Sequence, residues 1–177
     1  MSASAFFLGM TLRPMNTTIR PTRSTDRDLQ IRPLSPDDLA AWSVLWDGYN
    51  AFYGRSGATA LAPEITRMTW SRFFDPYEPV YALVAEESER LIGLVHYLLH
   101  RSTTSIAPVC YLQDLFTVEA ARRRGVGRAL IEAVYDQARA IGAARVYWQT
   151  HETNATAMRL YDAVAERSGF LVYRKLL

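Results

Sequence analysis

Apolar residues at Leu39, Trp42, Leu45, Trp46, Tyr49 and Phe52 keep the spacing of one helical face, which predicts a helix running to about Tyr53. It begins at Ser35-Pro36-Asp37-Asp38, a cap followed by proline in the first turn and acidic residues where the helix dipole favours them. A short strand, Ile31 to Leu34, precedes it, the glycines at 54 and 57 break it, and a second helix is predicted over about 63–74. From Val80 the period shortens: Val80 to Glu86, Leu91 to His100 and Val109 to Val118 read as strands. Glu87-Ser88-Glu89-Arg90 turns the first two into a hairpin, so an antiparallel meander is expected. A helix from Gly125 to about Ile141 carries Ala129, Leu130, Ala133, Val134, Ala138 and Ile141 on one side and should pack over that sheet. A strand at 145–150, a helix at 154–166 and a last strand from Phe170 complete a mixed α/β domain.

With 177 residues, 49% of them hydrophobic, the chain has material for one sizeable core and one domain. A formal charge of +2 is too small for a nucleic-acid binder, because the arginines at 122–128 form one local cluster and no extended basic face. Apolar runs fall short of the roughly 18–20 residues of a membrane span, so a soluble protein with no membrane partner is expected. Cys110 alone cannot close an intramolecular disulfide, which fits the cytoplasm, and it reads as a small core residue. Residues 1–29 have no acidic group before Asp26 and are rich in Ser, Thr and Arg; they read as a disordered lead, with Met15 an alternative start.

Candidate chemistry gathers in two places. After the strand ending at Val118 comes Arg122-Arg123-Arg124-Gly125-Val126-Gly127-Arg128-Ala129. Glycines at 125 and 127 let the backbone turn tightly against a ligand, and the helix that follows points its unpaired N–H groups at the turn. Backbone donors, the positive end of the dipole and the arginines together would suit a diphosphate. Leu130 stands where the dinucleotide fingerprint needs a third glycine, and the Lys-Ser or Lys-Thr of a nucleotide-triphosphate loop is missing. A tight turn with a solvated arginine face is the competing reading of the same residues. In the helix from Asn154, Ala157 and Tyr161 share a face with the capping amide, which is equally the pattern of a core stripe with a buried tyrosine.

Together, the strand Tyr111 to Val118, the Arg-x-x-Gly-x-Gly turn of Arg122 to Gly127 and the Asn-x-x-Ala-x-x-Leu-Tyr helix of Asn154 to Tyr161 resemble the GNAT superfamily of acyl-CoA-dependent N-acetyltransferases. The resemblance spans about residues 30–177 and is similar in detail to the branch of polyamine, fungal histone and D-amino-acid acetyltransferases. It implies a GNAT fold, a mixed and mostly antiparallel sheet whose parallel central strands, 109–118 and 145–150, splay apart between flanking helices. It also implies acetyl-CoA as co-substrate, no metal, a small-molecule amine as acceptor and a homodimer. The main chain around Phe116, Thr117 and Val118 would pair with the pantetheine, and the amides from Arg123 to Ala129 would hold the diphosphate. Asn154 and Ala157 would help place the pantetheine, and Tyr161 would protonate the departing thiolate.

An alkylammonium keeps its proton to about pH 10.4, so transfer needs a group to take it. Where the polyamine enzymes carry Glu-Asp, this chain has Gln113-Asp114, and an amide cannot titrate. Strand alternation sends Gln113 and Asp114 to opposite faces, leaving Asp114 as a base or as a direct binder of the ammonium. His96 and His100 share one face and read as satisfied or exposed strand histidines; His151-Glu152 lacks the second histidine of a zinc motif. Trp46, Asp47, Tyr49, Phe52 and Tyr53 are candidates for an aromatic and acidic wall against the acceptor, with core packing the alternative for Trp46 and Phe52. Acetylation of a basic protein tail, and acyl-CoA binding without catalysis, are the other functions this pattern admits.

Overall fold

The computed structural model of the chain describes residues 29–177. The lead expected over 1–29 lies outside them but for Leu29, which packs beside the core. In chain order the elements are β1 Gln30–Pro33, α1 Leu39–Phe52, α2 Pro63–Arg72, β2 Val80–Glu87, β3 Arg90–His100, β4 Val109–Thr117, α3 Val126–Ala140, β5 Val146–Tyr147 and α4 Ala155–Tyr161. The strands form one open sheet in the order β1-β2-β3-β4-β5, antiparallel except for the parallel pair β4–β5.

Each turn has a local cause. Ser88 and Glu89 take φ of 49° and 61°, the pair of left-handed residues that suits the twist of a two-residue hairpin loop. Before α1, Ser35 and Asp38 cap one another reciprocally across a single 3-10 turn, Pro36–Asp38. Arg32 on β1 locks this start to the sheet, donating to Asp38 at 2.7 and 2.9 Å and to Glu86 at 2.6 Å. The Arg32 guanidinium holds the Asp38 carboxyl below its ordinary value.

Two cores lie on opposite faces of the sheet. Leu130, Ile131 and Val134 of α3 pack on Leu83, Val95, Cys110 and Leu112. On the other face Trp42, Leu45 and Trp46 of α1 pack on Val84 and Leu94, with Trp70 and Phe73 behind them. Successive residues of β3 alternate between the two, Leu94 to the α1 side and Val95 to the α3 side, as a strand buried on both faces requires.

The expected strand at 145–150 is reduced to Val146–Tyr147, because only Cys110↔Val146 and Tyr111↔Tyr147 pair before β4 and β5 part. The strand expected from Phe170 does not form. A strand needs a neighbour to take its N–H and C=O groups, and among the described residues no strand pairs with this segment. Phe170, Leu171, Val172 and Tyr173 lie exposed. No helix among the described residues is long and apolar enough to cross a membrane.

Candidate active site

The parting of β4 from β5 opens a cleft of about 450 Å³ between the C-terminal half of β4, the start of α3 and α4. At its α3 end, Arg123 and Gly125 both take left-handed backbone, φ 60° and 83°. A Cβ at Gly125 would meet nothing within 4 Å, so it is the φ that calls for glycine there. The N–H groups of Val126, Gly127 and Arg128 open the helix and have no acceptor among the described residues; the first backbone bond into the turn is Ala129 N–H to Gly125 O, 3.0 Å. Left-handed turns that leave successive N–H groups free form a concave anion site, reinforced here by the helix dipole.

Gly127, Arg122, Arg123 and Arg128 line the cleft. Arg122 donates to Thr117 O at 3.4 Å, Arg128 pairs with Glu132 at 3.7 Å, and Arg123 has no ion-pair partner among the described residues. Arg124 turns away and is ion-paired to Glu87 of the β2–β3 hairpin. Val126 and Ala129, expected at the diphosphate, do not line the cleft: the Val126 side chain is buried in the α3 core, which leaves its N–H alone to offer, and the Ala129 N–H donates to Gly125 O. Phe116 and Thr117 line the cleft, whereas Val118 is tied to β3 through its N–H to Ile92 O, 3.0 Å. Phe116 reaches its position through Gly48 of α1, where a Cβ would stand 2.8 Å from the ring.

Asn154 caps α4, accepting from Ala157 N–H at 3.4 Å, and its amide donates to Thr150 Oγ1 at 3.3 Å. Asn154, Ala157 and Tyr161 all line the cleft, as their seven-residue span on one helix face predicts. The Tyr161 ring packs edge-on to Trp148 at 5.4 Å, and its hydroxyl makes no hydrogen bond to the described residues. Burial, helped by the neighbouring Tyr53, pushes the Tyr161 phenol up to about 12. It therefore holds its proton throughout the neutral range.

A bulge organises the α1 side of β4. His96 pairs with Asp114 and Tyr97 with Leu112, which leaves Gln113 unpaired and exposed on β4. Leu112 stays in the α3 core, and the extra residue rotates Asp114 onto the α1 face opposite His96; simple alternation would have sent Asp114 the way of Leu112. Asp114 is 8% exposed and His96 2%. Trp42 Nε1 donates to His96 Nε2 at 3.0 Å, and His96 Nδ1 meets Asp114 Oδ2 at 3.0 Å. An indole N–H only donates, so Nε2 must accept and the imidazole proton sits on Nδ1, pointed at the carboxylate. We expect ¹⁵N–¹H correlation spectra to show His96 as the Nδ1–H tautomer, with Trp42→Phe releasing it to a tautomer mixture; an Nε2–H signal in the unmodified protein would contradict this arrangement.

Burial pushes the Tyr49 and Tyr53 phenols up, and the Asp114 carboxylate adds to the effect on both. Tyr53 lines the cleft, while Tyr49 is buried beneath it, stacked on Trp46 at 5.3 Å. Asp47 is exposed on α1 and lines no part of the cleft. Trp46 belongs to the core and Phe52 to the cleft wall, which separates two residues that helical spacing alone treats alike. Leu115 and Thr156 also line the cleft; only their places beside Phe116 and Ala157 signal it in the sequence. His100 bonds Tyr147 Oη at 3.1 Å and His151 is exposed, and no three His, Cys, Asp or Glu among the described residues gather as a metal site.

The profile of the acetyltransferase (GNAT) family matches residues 41–165. The D-amino-acid N-acetyltransferase HPA3 of Saccharomyces cerevisiae is 34% identical over 157 residues, covering 88% of this chain and 95% of the relative. The uncharacterized N-acetyltransferase YhfO of Bacillus subtilis is 31% identical, covering 82% and 95%. Among solved structures, that of AAC(6')-Iy in complex with the bisubstrate analogue CoA-S-monomethyl-acetylneamine superposes with a TM-score of 0.70 at 18% identity, over 84% of this chain and 99% of that one. An open mixed sheet split between β4 and β5, with the turn and helix motifs placed around the split, defines an acyltransferase of the GNAT class. The chain belongs to the acetyltransferase (GNAT) family and is an enzyme of that family, whose acyl donor is acetyl-CoA.

Proposed function

We propose that the protein transfers an acetyl group from acetyl-CoA to the primary amine of a small molecule. The observation that carries this reading is the convergence on one cleft of the unpaired N–H groups at Val126 to Arg128 and the unbonded hydroxyl of Tyr161. The residues fit the coenzyme: among the described residues, donors without acceptors and flanking arginines suit a diphosphate, and β4 beyond Tyr111 has no partner on its β5 side, which leaves an edge that an amide-bearing chain can extend. The amides and side chains of Arg122, Arg123, Gly125, Gly127 and Arg128 would hold the diphosphate, with Phe116, Thr117, Asn154 and Ala157 along the pantetheine. Bound there, acetyl-CoA supplies an activated acyl thioester.

Tyr161 keeps a proton available at the cleft for a departing thiolate. Asp114, buried beside the cleft-lining Leu115, binds the incoming ammonium and receives its proton, with His96 Nδ1–H fixing the carboxylate and Trp42 fixing the imidazole. Tyr53 shapes the wall between them. A thiol-release assay over a panel of amines tests this reading: release that saturates with amine and yields the N-acetyl product supports it, and coenzyme binding without turnover on any amine refutes it.

The lone buried thiol of Cys110, pushed up to about 11 by burial, supports a cytoplasmic site. The exposed apolar residues from Phe170 to Tyr173 support a homodimer in which this segment is covered. Light scattering should give twice the chain mass, falling to one chain mass when residues 170–177 are deleted.

A further inference from the structure

Arg55, in the loop after α1, is fixed at its base and free at its tip. Its main-chain N–H donates to Asn50 O at 2.9 Å and its Nε to Asn50 Oδ1 at 2.7 Å. Asn50 is 4% exposed, and its own Nδ2 donates to Trp46 O at 2.8 Å. A buried amide on a rigid helix therefore holds the guanidinium, which lies over the rings of Tyr49 and Tyr53, 5.6 and 5.3 Å from their centroids. Among the described residues no carboxylate pairs with Arg55, and its two terminal nitrogens have no acceptor. A planar fork held this way is set for bidentate recognition of a carboxylate.

The opposite charge lies along the same aromatic row: Asp114 holds His96, His96 packs on Trp46 at 5.3 Å, Trp46 stacks on Tyr49 at 5.3 Å, and Tyr49 meets Tyr53 at 5.0 Å. Beyond burial, which pushes both phenols up, Tyr49 and Tyr53 feel Asp114 raising them further and Arg55 pulling them back. A buried carboxylate and a tethered guanidinium thus bracket the aromatic wall that reaches the cleft at Tyr53. Among the described residues no carboxylate lines the cleft itself, and Asp114, one residue before Leu115 of its wall, is the only buried one. This wall is dipolar. A polyamine would bring a second ammonium toward Arg55 with no second anion to receive it.

We infer that the acceptor is an amine carrying its own carboxylate, an α-amino acid, with its ammonium on Asp114 and its carboxylate clamped by Arg55. The inference rests on the assignment of Asp114 to the acceptor amine and deepens the proposed function by naming the acceptor class and a specificity-determining residue that helical periodicity gives no means to find. The D-amino-acid acetyltransferase among the relatives is consistent with it.

The test is equilibrium binding in the presence of coenzyme A, by calorimetry. The ligands are α-amino acids of both hands, their α-amides and spermidine, against the unmodified protein, Arg55→Gln and Arg55→Lys. At least one amino acid should bind ten-fold or more tighter than its amide and than spermidine. Arg55→Gln should erase that preference while leaving coenzyme affinity within about two-fold, and Arg55→Lys, which keeps the charge but loses the fork, should recover part of it. Equal affinity for acid and amide, absence of amino-acid binding, or a preference that survives Arg55→Gln in a protein of unchanged melting temperature would overturn the proposal. Selective amino-acid binding with no N-acetyl product would sink the transferase reading and leave the Arg55 site standing.

Discussion

Tyr161→Phe should lower kcat by about 10²- to 10³-fold, within the range of a positioned acid or base, with the KM for acetyl-CoA changed by no more than a few-fold. The substitution is clean because the ring packs edge-on to Trp148, which phenylalanine preserves, and the lost hydroxyl has no partner to strand among the described residues. Its melting temperature should stay level or rise slightly. A variant that keeps full kcat would remove the phenol from the reaction. One that loses coenzyme affinity in proportion would move its role from protonation to binding.

Gly125→Asp should raise the dissociation constant of coenzyme A by about 100-fold at low salt. A φ of 83° strains any side chain, but Asp and Asn tolerate left-handed backbone better than most residues and share that cost, and a Cβ there meets no atom of the described residues within 4 Å. The loss comes from charge: two unit charges about 5 Å apart at an effective dielectric of about 20 repel by about 3 kcal/mol. Gly125→Asn matches the shape without the charge and should lose less than ten-fold. Because the site is open, raising the ionic strength should narrow the difference between the two variants. Equal losses for Asn and Asp would mean that backbone strain, and not an anion, governs this turn.

How much of this was legible in the sequence depended on whether the cause of a feature is local. Helical spacing in α1, the two-residue turn of the β2–β3 hairpin, the glycine turn into α3 and the Asn154 cap are decided within a few residues of themselves, and each stands where the pattern put it. The Gln113 bulge is different. Its position follows from which β3 residues face β4, and it alone decides that Asp114 joins His96 and Trp42 instead of the α3 core. Sequence spacing likewise cannot show that β4 and β5 part after two pairs, or that the segment from Phe170 finds no neighbour. Arg55 lies in a loop with no period at all; what marks it is the buried amide of Asn50, five residues earlier, holding its base.

In the proposed reaction one cleft holds the diphosphate on the turn before α3 and brings the reactive end of the coenzyme to the α4 phenol. A crystal structure with coenzyme A bound tests it most directly. The diphosphate should lie on the amides from Arg123 to Arg128, the pantetheine along the open edge of β4, and the sulfur within hydrogen-bond reach of the Tyr161 hydroxyl. A diphosphate seated elsewhere, or a sulfur on the far side of the sheet from Tyr161, would contradict it.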